Sequence, residues 1–167
     1  MGWTILFKRF PFAAAGAFAC VWLAAPVVQA APSTLGTVIG SALLCRSHLD
    51  NIYFHDWLTK AYGPAYKHEG GAYWFKGDGN LWGAQMAEFW VSDDTSELIF
   101  IGAVAETTPE ELDKAIRAAA SVSHEPVDKS AFALRASREG STIAYFANKS
   151  KIFCAKYKPI PVGTAAR

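Results

Sequence analysis

The chain has 167 residues, 51 % of them hydrophobic, with 16 Lys and Arg against 15 Asp and Glu and a formal net charge of +1. That length suits one domain with a real apolar core. A balance so close to neutral leaves no electrostatic footprint for nucleic acid and no strong basic patch for a membrane surface.

The first thirty residues carry an address. Lys8 and Arg9 precede an uncharged apolar run over 10–28, which ends in Val28-Gln29-Ala30, small residues placed as a signal peptidase reads them. This is the layout of a secretory signal peptide of bacterial type, cleaved between Ala30 and Ala31. The run is about long enough to span a bilayer, but Pro11, Pro26 and the cleavage pattern argue against a retained anchor. A membrane role is then confined to an uncleaved signal segment. Lipidation at Cys20 is disfavoured because Ala17 replaces the usual leucine and the apolar run continues past the cysteine. Removing 1–30 leaves a single domain, 31–167, with flexible ends, exported to the periplasm or cell exterior. Two cysteines remain, Cys45 and Cys154. In an oxidising compartment a lone pair reads as one disulfide, joining the start of the fold to its last strand. A catalytic thiol at Cys45 would need an activating partner.

After a small, polar lead-in, 37–45 is apolar and fits a short strand or a helical turn. A helix follows, with Ser47 as N-cap and Asp50 completing a capping-box pattern. Leu49, Ile52, Tyr53, Phe54, Trp57, Leu58 and Ala61 make its wide apolar face, and Gly63-Pro64 stops it. Strand signals come next: 72–75, a turn at Gly77-Asp78-Gly79-Asn80, then 81–83 and 86–92. A turn over 92–96 leads to 98–105, an almost wholly apolar run that reads as a central strand.

Thr108-Pro109-Glu110-Glu111 is a strong helix start: a cap, a proline at the first helical position and a closing Glu111. Leu112, Ala115, Ile116 and Ala119 share one face, and the helix ends near 121. A polar loop over 123–129 precedes three strands, 132–137, 142–147 and 151–157, and a loose tail from 158. The expected architecture is α+β, an antiparallel sheet of about five to six strands packed against two helices, in an order that fits two αβββ halves. Lys149, Lys151, Lys156 and Lys158 read as a solvated edge strand.

Each candidate for chemistry has a plainer explanation. His48 and His55 are seven residues apart, too far for a helical zinc pair. His55-Asp56 and His68-Glu69 are the pairs an unfamiliar enzyme could use as base and orienter. No GxSxG nucleophile turn exists. Residues 77–80 resemble a calcium loop but lack its alternating ligands and closing Glu, so a hairpin turn explains them better. Asp93, Asp94 and Glu97 look like a solvated turn. No cofactor or metal is expected.

The aromatics stand apart. Tyr73, Trp74, Phe75, Trp82, Phe89 and Trp90 crowd one hairpin region. With Phe89 and Val91 toward the core, Glu88 and Trp90 face outward. The expected binding surface is Tyr73, Trp74, Trp82 and Trp90, with Asp78 and Asn80 at the hairpin tip. The functional expectation is an exported binding protein of the inhibitor or immunity type, not an enzyme, which presents a rigid, disulfide-pinned surface to another envelope or secreted protein. A glycan or small-molecule binder and a small periplasmic enzyme are the alternatives.

Overall fold

The computed structural model describes residues 32–159. The signal segment, Cys20 and the tail beyond 159 lie outside the described residues. A π-helical turn (Gly36–Gly40) runs into α1 (Ser41–Leu43), followed by α2 (Asn51–Tyr62). The strands β1 (Lys67–Glu69), β2 (Ala72–Leu81), β3 (Ala84–Ser92) and β4 (Leu98–Ala105) come next. Then come α3 (Pro109–Ala120) and β5 (Glu125–Pro126), β6 (Arg135–Ala136), β7 (Thr142–Phe146) and β8 (Lys149–Tyr157). All eight strands form one antiparallel sheet in the order β1-β2-β3-β4-β8-β7-β6-β5. Two helix-plus-four-strand meanders therefore meet where β4 pairs β8. The α+β class holds, but the sheet has eight strands rather than five or six, and each half is αββββ. The additional short strands, Lys67-His68-Glu69 and Glu125-Pro126, are too brief and polar to show a period of two.

Helix α3 forms as its sequence dictates. The Thr108 side chain accepts from the Glu111 N–H, Pro109 occupies the first turn, and Leu112 and Ile116 are fully buried. Helix α2 starts later than Ser47 suggests. Its N-cap is Asp50, in extended conformation, whose carboxylate accepts from the Tyr53 N–H at 3.0 Å. Leu49 just before the cap and Phe54 four residues after it are both buried, as in a hydrophobic staple. The apolar stripe is narrower than expected. Phe54, Leu58 and Ala61 are buried, while Ile52 and Tyr53 are 64 % and 51 % exposed.

The turn expected at Gly77-Asp78-Gly79-Asn80 lies inside β2, which reaches Leu81 with a register shift between Lys76 and Gly79. The chain reverses instead at Trp82-Gly83, where both residues have positive φ (57° and 90°) and Leu81 pairs Ala84. That is the backbone of a two-residue hairpin turn. Asn80 caps it, its side-chain oxygen accepting from the Gly83 N–H at 3.0 Å. Gly77 and Gly79 serve close approach. A Cβ on Gly77 would overlap the Tyr62 ring, and one on Gly79 would come within 2.5 Å of Leu35 Cδ2. Tyr62 in turn stacks on Phe89, with centroids 5.2 Å apart. Gly77→Ala is thus expected to cost about 1–3 kcal/mol by overpacking. A urea midpoint unchanged from the wild type would show the glycine to be an ordinary strand residue.

All three helices pack on one side of the sheet. Their buried residues join Phe75, Met86, Phe89, Val91, Ile101, Ala103, Ile143 and Ile152 in the main core. Cys45 and Cys154 form the expected disulfide, with Cα atoms 5.4 Å apart. It ties the end of the N-terminal helical segment to β8. That strand is central, fifth of eight, and not the edge its lysines suggest. Those lysines have local work instead. Lys149 pairs Glu106, Lys156 donates to the Cys45 carbonyl, and Lys158 pairs Asp94.

Candidate functional site

Strand register decides what the other side of the sheet shows. Opposite residues share a face, so one row runs Lys67, Trp74, Trp90, Gly102, Phe153 and Thr142 across six strands. The neighbouring rows hold Ala72 and Phe100 on one side and Lys76, Glu88, Val104 and Lys151 on the other. Ala72, Trp90 and Val104, with Trp74, Phe100 and Phe153 against them, form a second apolar cluster made only of strand residues. No helix among the described residues packs on this face.

Its centre is an indole pair. Trp74 and Trp90 stack with centroids 5.0 Å apart. Trp90 is only 7 % exposed because it lies flat over Gly102, where a Cβ would overlap its ring. The lysines cap the pair. Lys67 Nζ lies 4.5 Å from the Trp74 centroid, and Lys151 Nζ lies 5.4 Å from Trp74, 5.7 Å from Trp90 and 4.0 Å from Phe146. Ammonium groups over rings are cation–π contacts, and the lysine stems cover the apolar floor. Between Lys67 and Lys151 a pocket of about 240 Å³ opens, with Trp74, Trp90 and Phe100 among its walls and Glu69 at its rim.

The structure divides the surface expected from sequence. Trp74 and Trp90 do share the helix-free face. Tyr73 points the other way, toward α2, with its ring 4.6 Å from His55 and 4.3 Å from His68. Trp82 sits at the hairpin turn and packs on the main core beside Gly40. Asp78 and Asn80 are strand residues short of the tip. Asp78 lies near Tyr62, where burial and the Asp78 charge push the phenol up to about 12. Lys67, Phe100, Gly102, Lys151 and Phe153 complete the face, and their placement there depends on which strands pair.

Neither His55-Asp56 nor His68-Glu69 forms a hydrogen-bonded pair. His68 Nε2 meets Asp93 Oδ2 at 2.7 Å, while Glu69 pairs Lys67 at 3.4 Å. His55 Nδ1 lies 3.6 Å from Asp56 Oδ1, beyond a hydrogen bond. Nor is Asp93 a solvated turn acid. It is buried, and its Oδ1 accepts from both the hydroxyl and the N–H of Thr95 at 2.5 and 3.0 Å. The Thr95 hydroxyl first, then His68 and the Thr95 N–H, hold its carboxyl down to about 2. Asp94 is lowered too, by the Asn51 amide first and then Lys158. These acids tie the 93–97 loop to β1, α2 and the end of β8. The pairing that Asp93 adds is present above the ordinary value of 3.8 and is lost as pH falls toward 2. The Thr95 amide resonance should therefore titrate with a midpoint near 2; a midpoint near 3.8 would show that the carboxylate is not held.

A second constellation is buried. His124 Nε2 lies 3.1 Å from Ser141 Oγ, and Asp113 Oδ1 lies 3.4 Å from His124 Nδ1. The residue types are those of a hydrolytic triad, but His124 and Ser141 are both 0 % exposed, so in this conformation no substrate meets the hydroxyl. Among the described residues no three His, Cys, Asp or Glu side chains gather as metal ligands. Set against known proteins, the chain matches no family model, no curated protein and no solved structure.

Proposed function

We propose that the protein is exported to the periplasm or cell exterior and acts there as a binding protein, holding another envelope or secreted protein on its helix-free sheet face. The observation that carries this reading is the Trp74–Trp90 stack, capped by Lys67 and Lys151, at the centre of a face that no described helix covers. Aromatic side chains on a rigid surface dominate protein interfaces, because they bury much area at little entropic cost. Here the rigidity comes from long paired strands and the Cys45–Cys154 bridge. Export is supported by the signal-like first thirty residues and is compatible with that bridge. A sugar-binding platform is less well supported, since Trp90 on β3 and Lys67 on β1 flank the Trp74 ring.

The test is capture from a cell-envelope extract on the immobilised, oxidised protein. A Trp74→Ala, Trp90→Ala double variant, checked for folding by circular dichroism, serves as control. A single protein held by the wild type and reduced at least about tenfold by the variant is the expected result, since interface aromatics are worth 2 kcal/mol or more. Equal retention by a folded variant would remove this face from the function.

A further inference from the structure

We infer that the partner segment on this face is acidic, and that one of its carboxylates seats between Lys67 and Lys151 above the Trp74–Trp90 stack. This rests on the reading that the helix-free face is the binding surface. The lysines of β1 and of the 149–158 segment are unequal in their neutralisation. Lys149 and Lys158 are matched by Glu106 and Asp94. Lys67 reaches the exposed Glu69 at 3.4 Å. Lys151 meets three rings and, among the described residues, no carboxylate. One row further along, Lys76 lies over the Tyr66 ring, 4.9 Å from its centroid, and Glu88 accepts from the Tyr66 hydroxyl at 3.2 Å. The pocket mouth therefore carries excess positive charge over a floor of indole and phenyl rings.

An apolar floor strengthens the attraction between a seated anion and the two ammonium groups, because water is displaced from one side. The incoming carboxylate would take Lys67 from Glu69, a surface pair of small worth, and would give Lys151 its counter-ion. The rings below would receive a neighbouring apolar side chain. The matching segment is an extended peptide with an acidic and an apolar residue an even number of positions apart, so that both side chains face the sheet.

The experiment measures anisotropy of a short labelled peptide of repeating Glu-Leu-Gly units on the full, oxidised protein, beside its Gln-Leu-Gly counterpart and a polygalacturonate oligomer. The expected result is binding of the Glu peptide that weakens as salt rises, with the Gln peptide weaker by about tenfold or more. Lys151→Glu and Lys67→Glu should each weaken the Glu peptide by about tenfold, while Lys114→Glu on α3 leaves it unchanged. Equal binding of both peptides, lost in Trp74→Ala but kept in Lys151→Glu, would overturn the acidic contact and leave the face as the binding surface. So would failure of both peptides together with partner capture that Lys151→Glu does not alter. Binding of polygalacturonate alone would overturn both the acidic segment and the protein-binding reading.

Discussion

Replacing Cys45 and Cys154 together by alanine is expected to lower the stability of the fold by about 4.7 kcal/mol, and its melting temperature by on the order of 15–20 °C. The bridge closes a sequence separation of 109 residues, and in the chain-entropy account the cost of such a loop in the unfolded chain rises with its length. The loss also has a structural side. Cys45 ends the N-terminal helical segment with φ at +57°, and Ile39 and Leu43 within that segment are fully buried. Without the bridge, their packing and the Lys156 bond to the Cys45 carbonyl are left to hold it against β4 and β8. Urea midpoints of the double variant and of reduced wild type should agree with each other and fall well below that of the oxidised protein. Midpoints that coincide for oxidised and reduced protein would refute the bridge as a main support.

Asp113→Ala is expected to cost about 3 kcal/mol, as removal of one partner from a buried charged network does. Asp113 Oδ1 accepts from the His124 N–H at 2.7 Å, and Oδ2 accepts from Arg117 Nη2 at 2.7 Å. With His124 Nε2 against Ser141 Oγ, the carboxylate joins α3, the loop after it and the start of β7. Its loss leaves a buried N–H without a partner. The same network predicts a pH response. Burial pushes the His124 imidazole below its ordinary 6.5, and the Asp113 charge opposes this only in part. The folded protein therefore holds fewer protons there than the unfolded chain. Stability on this account is full above about pH 6.5 and falls as pH drops below it, toward the lowered folded value. His124→Gln should flatten the loss that sets in as pH falls below 6.5 in chemical denaturation. A variant with the wild-type slope would assign the acid sensitivity elsewhere.

Legibility in the sequence followed the range of the interaction. The start of α3, the stop at Gly63 and the reversal after Phe146 are local chemistry, and each formed where its residues indicate. The disulfide was legible because only two cysteines follow residue 30. Residues 77–80 misled because glycine has two uses. It permits positive φ in turns, and it clears space for a neighbour, and only the Tyr62 ring shows which applies. Lys149 to Lys158 misled because lysine on a strand is an edge signal only when the strand is unpaired. In the site, Trp74 and Trp90 were legible from composition and alternation. Lys151 and Phe153 follow from a step available in the sequence: if Cys154 faces the core, its alternation partner Ile152 does too, and Lys151 and Phe153 face away. That Lys67 and Gly102 join them requires the strand order, which no local pattern encodes. Tyr73 was misplaced against the same alternation, which puts it opposite Trp74.

The central claim is that the helix-free face is where a partner sits. The most direct measurement is a lysine-acetylation footprint of the protein with and without the captured partner, read by mass spectrometry. The account predicts protection of Lys67, Lys76 and Lys151, with Lys60 on α2, Lys114 on α3 and Lys129 in the loop after β5 unchanged. Protection of Lys60, Lys114 or Lys129, with Lys67, Lys76 and Lys151 as reactive as in the free protein, would contradict it.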